Sequence, residues 1–354
     1  MKILITGGAG FVGSSLAKQF RSEFPQSKIV ALDNLKRRGS ENNITLFKSL
    51  GIDFVHGDIR NREDLNALKD NFDLFIEASA EPSVLAGLDG DPGYLIQTNL
   101  VGTLNCLEFA RARAKHFIFL STSRVYSIEP LKELKFEETS NRFELAANQL
   151  IAGVSEKGIS EAFPTHQFRS LYGATKLASE LLIQEYAQAY DMNALINRCG
   201  VLCGPGQFGK VDQGVFTLWV ANHYFGKPLR YTGFGGEGKQ VRDLLHPDDL
   251  FQLILEQNEK IESHRGGVFN VGGGREVSVS MKEMTALCET VTGRRIDIAS
   301  DPKTSPVDIP LYLSDTSYVT SCFNWHPKKT PLEIVKEIHF WLRENEALLK
   351  PLFA

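Results

Sequence analysis

Lys2-Ile3-Leu4-Ile5-Thr6-Gly7-Gly8-Ala9-Gly10-Phe11-Val12-Gly13 is the stretch on which the reading of this chain turns. Residues 2–6 read as a short apolar strand. Residues 11–24 place Phe11, Leu16 and Phe20 among the apolar positions of a helix. Between the two stand glycines at 7, 10 and 13. Lacking Cβ, they permit a tight strand-to-helix turn and let backbone N–H groups approach a pyrophosphate at a helix N-terminus. A GxxGxxG string alone is weak evidence; one that leaves a strand and opens a helix has the context a dinucleotide site requires.

Working outward, residues 28–32 (Lys-Ile-Val-Ala-Leu) read as a second strand that ends at Asp33, 20 positions after Gly13. A carboxylate there accepts hydrogen bonds from the adenosine ribose hydroxyls and repels a 2′-phosphate, so the expected cofactor is NAD. Arg37 and Arg38 follow on a loop beyond the strand end. After the third strand, Asp53-Phe54-Val55-His56, Asp58 has the place from which a carboxylate faces an adenine amino group, or from which it caps the next helix. Further short apolar runs at 74–76, 116–120, 193–196 and 267–271 alternate with helical stretches. That alternation predicts a parallel sheet covered on both faces, an α/β, doubly wound architecture.

From about residue 200 glycine clusters at 204–206, 233–238 and 272–274 break the rhythm and predict a smaller, loop-rich, partly interleaved lobe. The expected division is residues 1–199 with 241–272 for the dinucleotide domain, and 200–240 with 273–354 for the substrate lobe. Residues 332–349 have the periodicity of a closing helix. At 354 residues, 42% hydrophobic and 23% charged, the chain has the composition of an ordinary globular protein, not a disordered or disulfide-built one. A net charge of −4, from 39 basic and 43 acidic residues, provides no excess to neutralise a phosphate backbone, so nucleic acid is not an expected partner. Five cysteines without a CxxC suit a reducing compartment, and Cys199 and Cys203, four apart, read as buried small hydrophobes with no metal expected. No apolar run is long enough for a signal peptide or a membrane span, which leaves the cytoplasm as the expected location and no membrane as a partner.

Tyr172-Gly173-Ala174-Thr175-Lys176 opens a strongly helical stretch. Residues four apart share a helix face, so the lysine ammonium stands near the phenol and favours phenolate. Tyr172 then serves as a general base for an alcohol whose carbon loses hydride. Ser121-Thr122-Ser123 follows the strand at 116–120. A hydroxyl at the C-terminal end of a parallel strand lies in the ligand crevice, which places Thr122 to hydrogen-bond the reacting oxygen.

The glycine run, Asp33, the set Thr122, Tyr172 and Lys176, and Arg242-Asp243-Leu244-Leu245-His246 together resemble the extended short-chain dehydrogenase/reductase family over nearly the whole chain. The resemblance implies a Rossmann domain, a tightly held NAD and nucleotide-diphosphate sugars as substrates. Asn99-Leu100-Val101-Gly102-Thr103 looks like that family's helix beside the nicotinamide pocket. The implied cofactor set is Gly7, Gly10, Phe11, Val12, Gly13, Asp33, Asn34, Asp58, Ile59, Ala78, Ser79, Ala80, Asn99, Ser121, Tyr172 and Lys176. Implied substrate contacts are Thr122, Glu81, Arg124, Gln207, Asp212, Gln213, Lys239 and, as diphosphate clamp, Arg242. Relatives are commonly homodimers paired through two helices, which here correspond to 99–113 and 174–190, so a homodimer or higher homo-oligomer is expected.

Ser121-Thr122-Ser123-Arg124-Val125-Tyr126, Asp212-Gln213-Gly214 and Gly238-Lys239-Gln240-Val241-Arg242-Asp243 resemble the branch of epimerases that act at C2 of a CDP-linked sugar. The long spacing from Tyr126 to Tyr172 agrees with that branch. Dehydratases of the family carry an Asp-Glu pair after the threonine, where this chain has Ser123 and Arg124; without it, elimination lacks its proton carriers. What remains is alcohol oxidation and re-reduction: Tyr172 takes the C2 hydroxyl proton, a 2-keto sugar forms and turns in the pocket, and hydride returns to its opposite face. A 4-epimerase of another sugar nucleotide and a non-catalytic NAD-binding regulator are the alternative readings, and an RNA-binding relative finds no basic surface. Two departures stand out. Ser305 occupies the place of a second diphosphate-binding arginine, with Lys303 nearby, and Glu77-Ala78-Ser79-Ala80-Glu81 replaces the more usual His-x-Ala-Ala.

Overall fold

A computed structural model describes residues 1–87, 90–209 and 213–353. Seven strands form its central sheet: β1 (Lys2–Thr6), β2 (Lys28–Asp33), β3 (Asp53–His56), β4 (Phe72–Glu77), β5 (Ala114–Thr122), β6 (Asn193–Cys199) and β7 (Val268–Val271). Their order across the sheet is β7-β6-β5-β4-β1-β2-β3. β1 pairs in parallel with β2 and β4, β2 with β3, and β4 with β5. The order reverses between β1 and β4, and a crevice at such a switch point, outside the strand C-termini, is where doubly wound sheets bind ligands.

Three helices position the residues of interest. α1 (Phe11–Glu23) follows β1, α2 (Thr103–Arg113) leads into β5, and α3 (Leu171–Ala189) carries Tyr172 and Lys176. α3 begins where it does because the Ser170 side chain accepts the Gly173 N–H at 3.2 Å. Residues Gln97–Gly102, just before α2, wind as a wider π-helical turn. The core beneath is apolar, with Leu4, Phe75, Phe117, Phe119, Ile183 and Ile196 among its fully buried members.

By contacts the chain divides into two compact units, Met1–Val125 with Ser170–Arg198 and Leu250–Phe269, and Tyr126–Arg169 with Cys199–Asp249 and Asn270–Ala354. This differs from the sequence-based division chiefly in two places, with smaller shifts at 199 and 270–272. Residues Tyr126–Arg169 join the second unit, which is therefore about as long as the first. The backbone shows why: Phe143 N–H donates to Lys239 O and Ile159 N–H to Leu313 O, at 2.9 and 2.8 Å. The strand Val241–Leu245 also belongs there, because it pairs with Val201–Leu202, Ser278–Ser280 and Leu311–Tyr312 and not with the central sheet. The second unit has its own core, built on Phe216, Trp219, Met284, Ile334 and Ile338. The closing helix runs Pro331–Glu344, with a further turn at Glu346–Leu349. Among the described residues no helix is long and apolar enough to cross a membrane.

Candidate active site

The turn after β1 is a backbone cradle. Gly7 adopts φ of +64°, and a Cβ on it would lie 2.7 Å from the Ala78 carbonyl oxygen. A Cβ on Gly13 would lie 2.2 Å from the Gly7 oxygen, so α1 can pack against the turn only through glycine. Gly10 is the N-cap of α1 and Phe11 and Val12 form its first turn, without a side-chain cap. The first helical N–H groups are left for a ligand.

Asp33, at the end of β2, reaches that turn directly. Its Oδ2 accepts the Ala9 N–H at 3.1 Å and its Oδ1 the Leu35 N–H at 2.7 Å. Burial raises its pKa above the ordinary carboxylate value, and the backbone donors of Leu35, Ala9 and Gly10 pull the other way. Asn34 donates from Nδ2 to Asp58 at 2.9 Å. Asp58 also holds Arg60 by Oδ2–NH2 at 2.6 Å; despite burial, these hydrogen bonds lower its pKa to about 2. It is not a cap: Asn61 accepts the Glu63 N–H that opens Arg62–Asn66. Ile59 is buried in the core, and Ala78, Ser79 and Ala80 continue from the end of β4.

The second half of the site is built around α3. Tyr172 and Lys176 sit one turn apart, 8% and 2% exposed, so the ammonium is held almost wholly inside the protein. Lys176 Nζ stands 3.9 Å from the centroid of the Phe119 ring on β5. Thr122, at the end of β5, is buried and accepts the Arg124 N–H through Oγ1 at 3.2 Å. Asn99 is fully buried. Its side chain fastens the loop after β4 by exchanging hydrogen bonds with the Glu81 backbone at 2.8 and 3.0 Å, and its carbonyl accepts the Thr103 and Ser179 hydroxyls. That doubly used carbonyl lies within the π-helical turn, a form common at functional positions.

Sequence reasoning missed two groups here. Glu180 lies a further turn along the face of Tyr172 and Lys176, which the four-residue spacing could have flagged. It is 1% exposed, pairs with Arg198 of β6 at 2.8 Å, and accepts the Ser121 hydroxyl. Ser121, expected to line the cofactor, thus turns its hydroxyl to α3. Glu77, at the end of β4, is fully buried. Its local sequence marks it only as the first residue of the Glu77–Glu81 run that replaces His-x-Ala-Ala, and assigns it no role.

Three substrate candidates of the second unit, Arg242, Lys239 and Gln207, are engaged within that unit. Arg242 donates to Asp308 Oδ1 and to Ile309 O, both at 2.8 Å, and the 305–308 turn that replaces the second arginine delivers Asp308 to it. Lys239 lies 2.7 Å from both Glu138 and Glu237. The Gln207 amide is spent on Leu202 O and the Thr217 hydroxyl. Gln213 Oε1 is buried without a hydrogen-bond partner, and Asp212 lies outside the described residues. Ser305 and Lys303 are exposed. His246 enters the helix Pro247–Lys260 with Nδ1 accepting the Asp248 N–H at 3.2 Å. Its neighbours Asp248 and Glu337 hold the Lys329 ammonium, so a lysine supplies the cation in that acidic cluster.

The sequence pattern of the NAD dependent epimerase/dehydratase family matches residues 3–272. The chain is 30% identical to the CDP-paratose 2-epimerase of Salmonella typhi, across 96% of this chain and 99% of that one. Among solved structures, Pal from Bacillus thuringiensis superposes with a TM-score of 0.79 at 26% identity, covering 97% of this chain and 99% of that one. The dTDP-glucose 4,6-dehydratase of Bacillus anthracis, solved in complex with NAD, gives 0.75 at 25% identity over 99% of each chain. A nucleotide cradle at the sheet's switch point and a match over most of the length lead to one conclusion: the chain belongs to the NAD dependent epimerase/dehydratase family.

Proposed function

We propose that this enzyme epimerises a nucleotide-diphosphate sugar, at C2 of a CDP-linked sugar, by oxidation to a keto sugar and reduction from the opposite face. The residues after β1 fit NAD: the Gly7 and Gly13 cradle admits no Cβ, and Asp33 presents a carboxylate at the end of β2. NAD, when bound there, supplies the acceptor and donor of hydride. Gly7, Gly10, Phe11, Val12 and Gly13 would hold the pyrophosphate, Asp33 the ribose, and Asp58 with Asn34 the adenine side.

The observation that carries the reading is the buried pair of Tyr172 and Lys176 on one face of α3. The ammonium favours phenolate, so Tyr172 takes the proton of the reacting hydroxyl and later returns it. Thr122 donates a hydrogen bond to the same oxygen. Ser123 and Arg124 stand where elimination would need two carboxylic groups, which favours epimerisation over dehydration. Glu81 and Arg124 would contact sugar hydroxyls, Arg242 would grip the diphosphate, and Gln207, Asp212, Gln213 and Lys239 would line the nucleotide site. Arg242 would exchange Asp308 for phosphate oxygens. The name of the Salmonella typhi relative supports the CDP-sugar and the C2 position.

The test is a panel of CDP-, UDP-, GDP- and dTDP-sugars, one of them deuterated at C2. Epimerisation that keeps the C2 deuterium supports the assignment; loss of the label to water refutes hydride transfer. Inversion at C4 of another sugar nucleotide would move the site of oxidation, and no turnover of any member would leave a regulator. Tyr172→Phe should abolish turnover and keep NAD bound, and near-normal turnover would remove Tyr172 from its role.

A further inference from the structure

Glu77 interacts with Lys176 of the Tyr172–Lys176 pair. Its place at the C-terminal end of β4 puts it directly opposite Phe119 in the parallel ladder with β5. Side chains of register partners project from the same face of a sheet. Lys176 Nζ stands 3.9 Å from the centroid of that same Phe119 ring, so the ammonium and the Glu77 carboxylate share one buried space. The Ser79 N–H donates to its Oε1 at 3.1 Å, and its Oε2 lies 3.3 Å from the Thr103 hydroxyl, whose one proton is shared with the Asn99 carbonyl oxygen at 3.0 Å. A backbone donor, a shared hydroxyl and a nearby ammonium favour the carboxylate over the carboxylic acid. Burial raises the Glu77 pKa and the Lys176 charge draws it back. Among the described residues the Cys106 thiol of α2 also faces this space; burial and the Glu77 charge push it well up, so it stays protonated. Further along α3, the Glu180 charge is matched by Arg198.

We propose that Glu77 is a positioning residue for Lys176: its carboxylate, in the same buried space as the ammonium, cancels part of that ammonium's field at Tyr172 and so sets the pH at which the phenol ionises. This rests on Tyr172 and Lys176 being the proton-transfer pair. It assigns to this chain's own strand end a control on the base that the Tyr-x-x-x-Lys spacing does not contain.

The test needs no substrate. Protein labelled with 13Cζ-tyrosine is titrated by NMR, and the Tyr172 resonance among the nine tyrosines is the one missing from Tyr172→Phe. Glu77→Gln keeps the shape and removes the charge. The phenol then loses a nearby anion and feels the whole ammonium, so its midpoint should fall by about one pH unit. Glu77→Asp, which restores a carboxylate, should bring the midpoint most of the way back. Should Glu77→Gln fail to fold, Glu77→His offers a ring that is neutral above pH 7 and should give the same downward shift. An unmoved midpoint in the neutral variant, whatever its melting temperature, overturns the proposal. Turnover by Tyr172→Phe would instead sink the catalytic reading, and the titration would still stand or fall on its own.

Discussion

The ion pair between Glu180 and Arg198 offers a quantitative check on how α3 is held. The side chains are 1% and 9% exposed, and Glu180 Oε2 meets Arg198 Nε at 3.1 Å and NH2 at 2.8 Å. Attraction at this range, about 4 kcal/mol at an effective dielectric of 20, is offset by the cost of taking both charges out of water. The pair as a whole therefore contributes little beyond what an apolar pair of the same volume would. Removing one partner is different, because it strands the other charge in the core. Glu180→Leu should cost about 3–5 kcal/mol, and Arg198→Met a similar amount. The double replacement Glu180→Leu with Arg198→Met should recover most of that loss, leaving a coupling of about 3 kcal/mol or more. For a cooperative unit of this size each single variant corresponds to a drop on the order of 10 °C in melting temperature. Urea denaturation of the full chain, followed by circular dichroism and by hydrogen exchange of α3 and β5 amides, reads the cycle. A single-variant loss under about 1 kcal/mol, or a double variant no better than the worse single one, refutes the account.

Other expectations follow from the same coordinates. Gly13→Ala would place a methyl 2.2 Å from the Gly7 carbonyl oxygen, so NAD affinity measured by calorimetry should fall at least tenfold, and unchanged affinity would discard the cradle. Asp243 is fully buried and its pKa is raised by burial from 3.8 to about 6. The folded chain therefore holds an extra proton between those values, and the stability it contributes is present at acid pH and lost as pH rises through 6. Relative to Asp243→Asn, the natural protein should lose about 3 kcal/mol between pH 4 and pH 7, seen as diverging urea midpoints. Thr330→Ala removes the acceptor of the Glu333 N–H at the start of Pro331–Glu344, a loss of about 1 kcal/mol by the same assay.

What could be read before folding was whatever depends on near neighbours along the chain. Strand, glycine turn and helix from residue 2 onward are local, and so is Asp33 at the end of the next strand. The spacing of Tyr172 and Lys176 is one helical turn, which places both on one face without any knowledge of the rest. The alternation of short apolar runs with helices also determined a parallel sheet, since only strands covered on both faces are apolar throughout. Tertiary structure decided everything that rests on pairing between distant segments. The sequence-based division places residues 241–272 with the dinucleotide domain, yet Val241–Leu245 joins the second unit, because its edges are satisfied by Val201–Leu202 and Ser278–Ser280. Ser121 stands at a ligand crevice by sequence, yet Glu180, 59 residues away, takes its hydroxyl. Glu77 matters through Phe119 and Lys176, and only the register of β4 with β5 and the packing of α3 bring those three together. A charge buried in a fold is defined by its partners in space, and chain order carries no record of them.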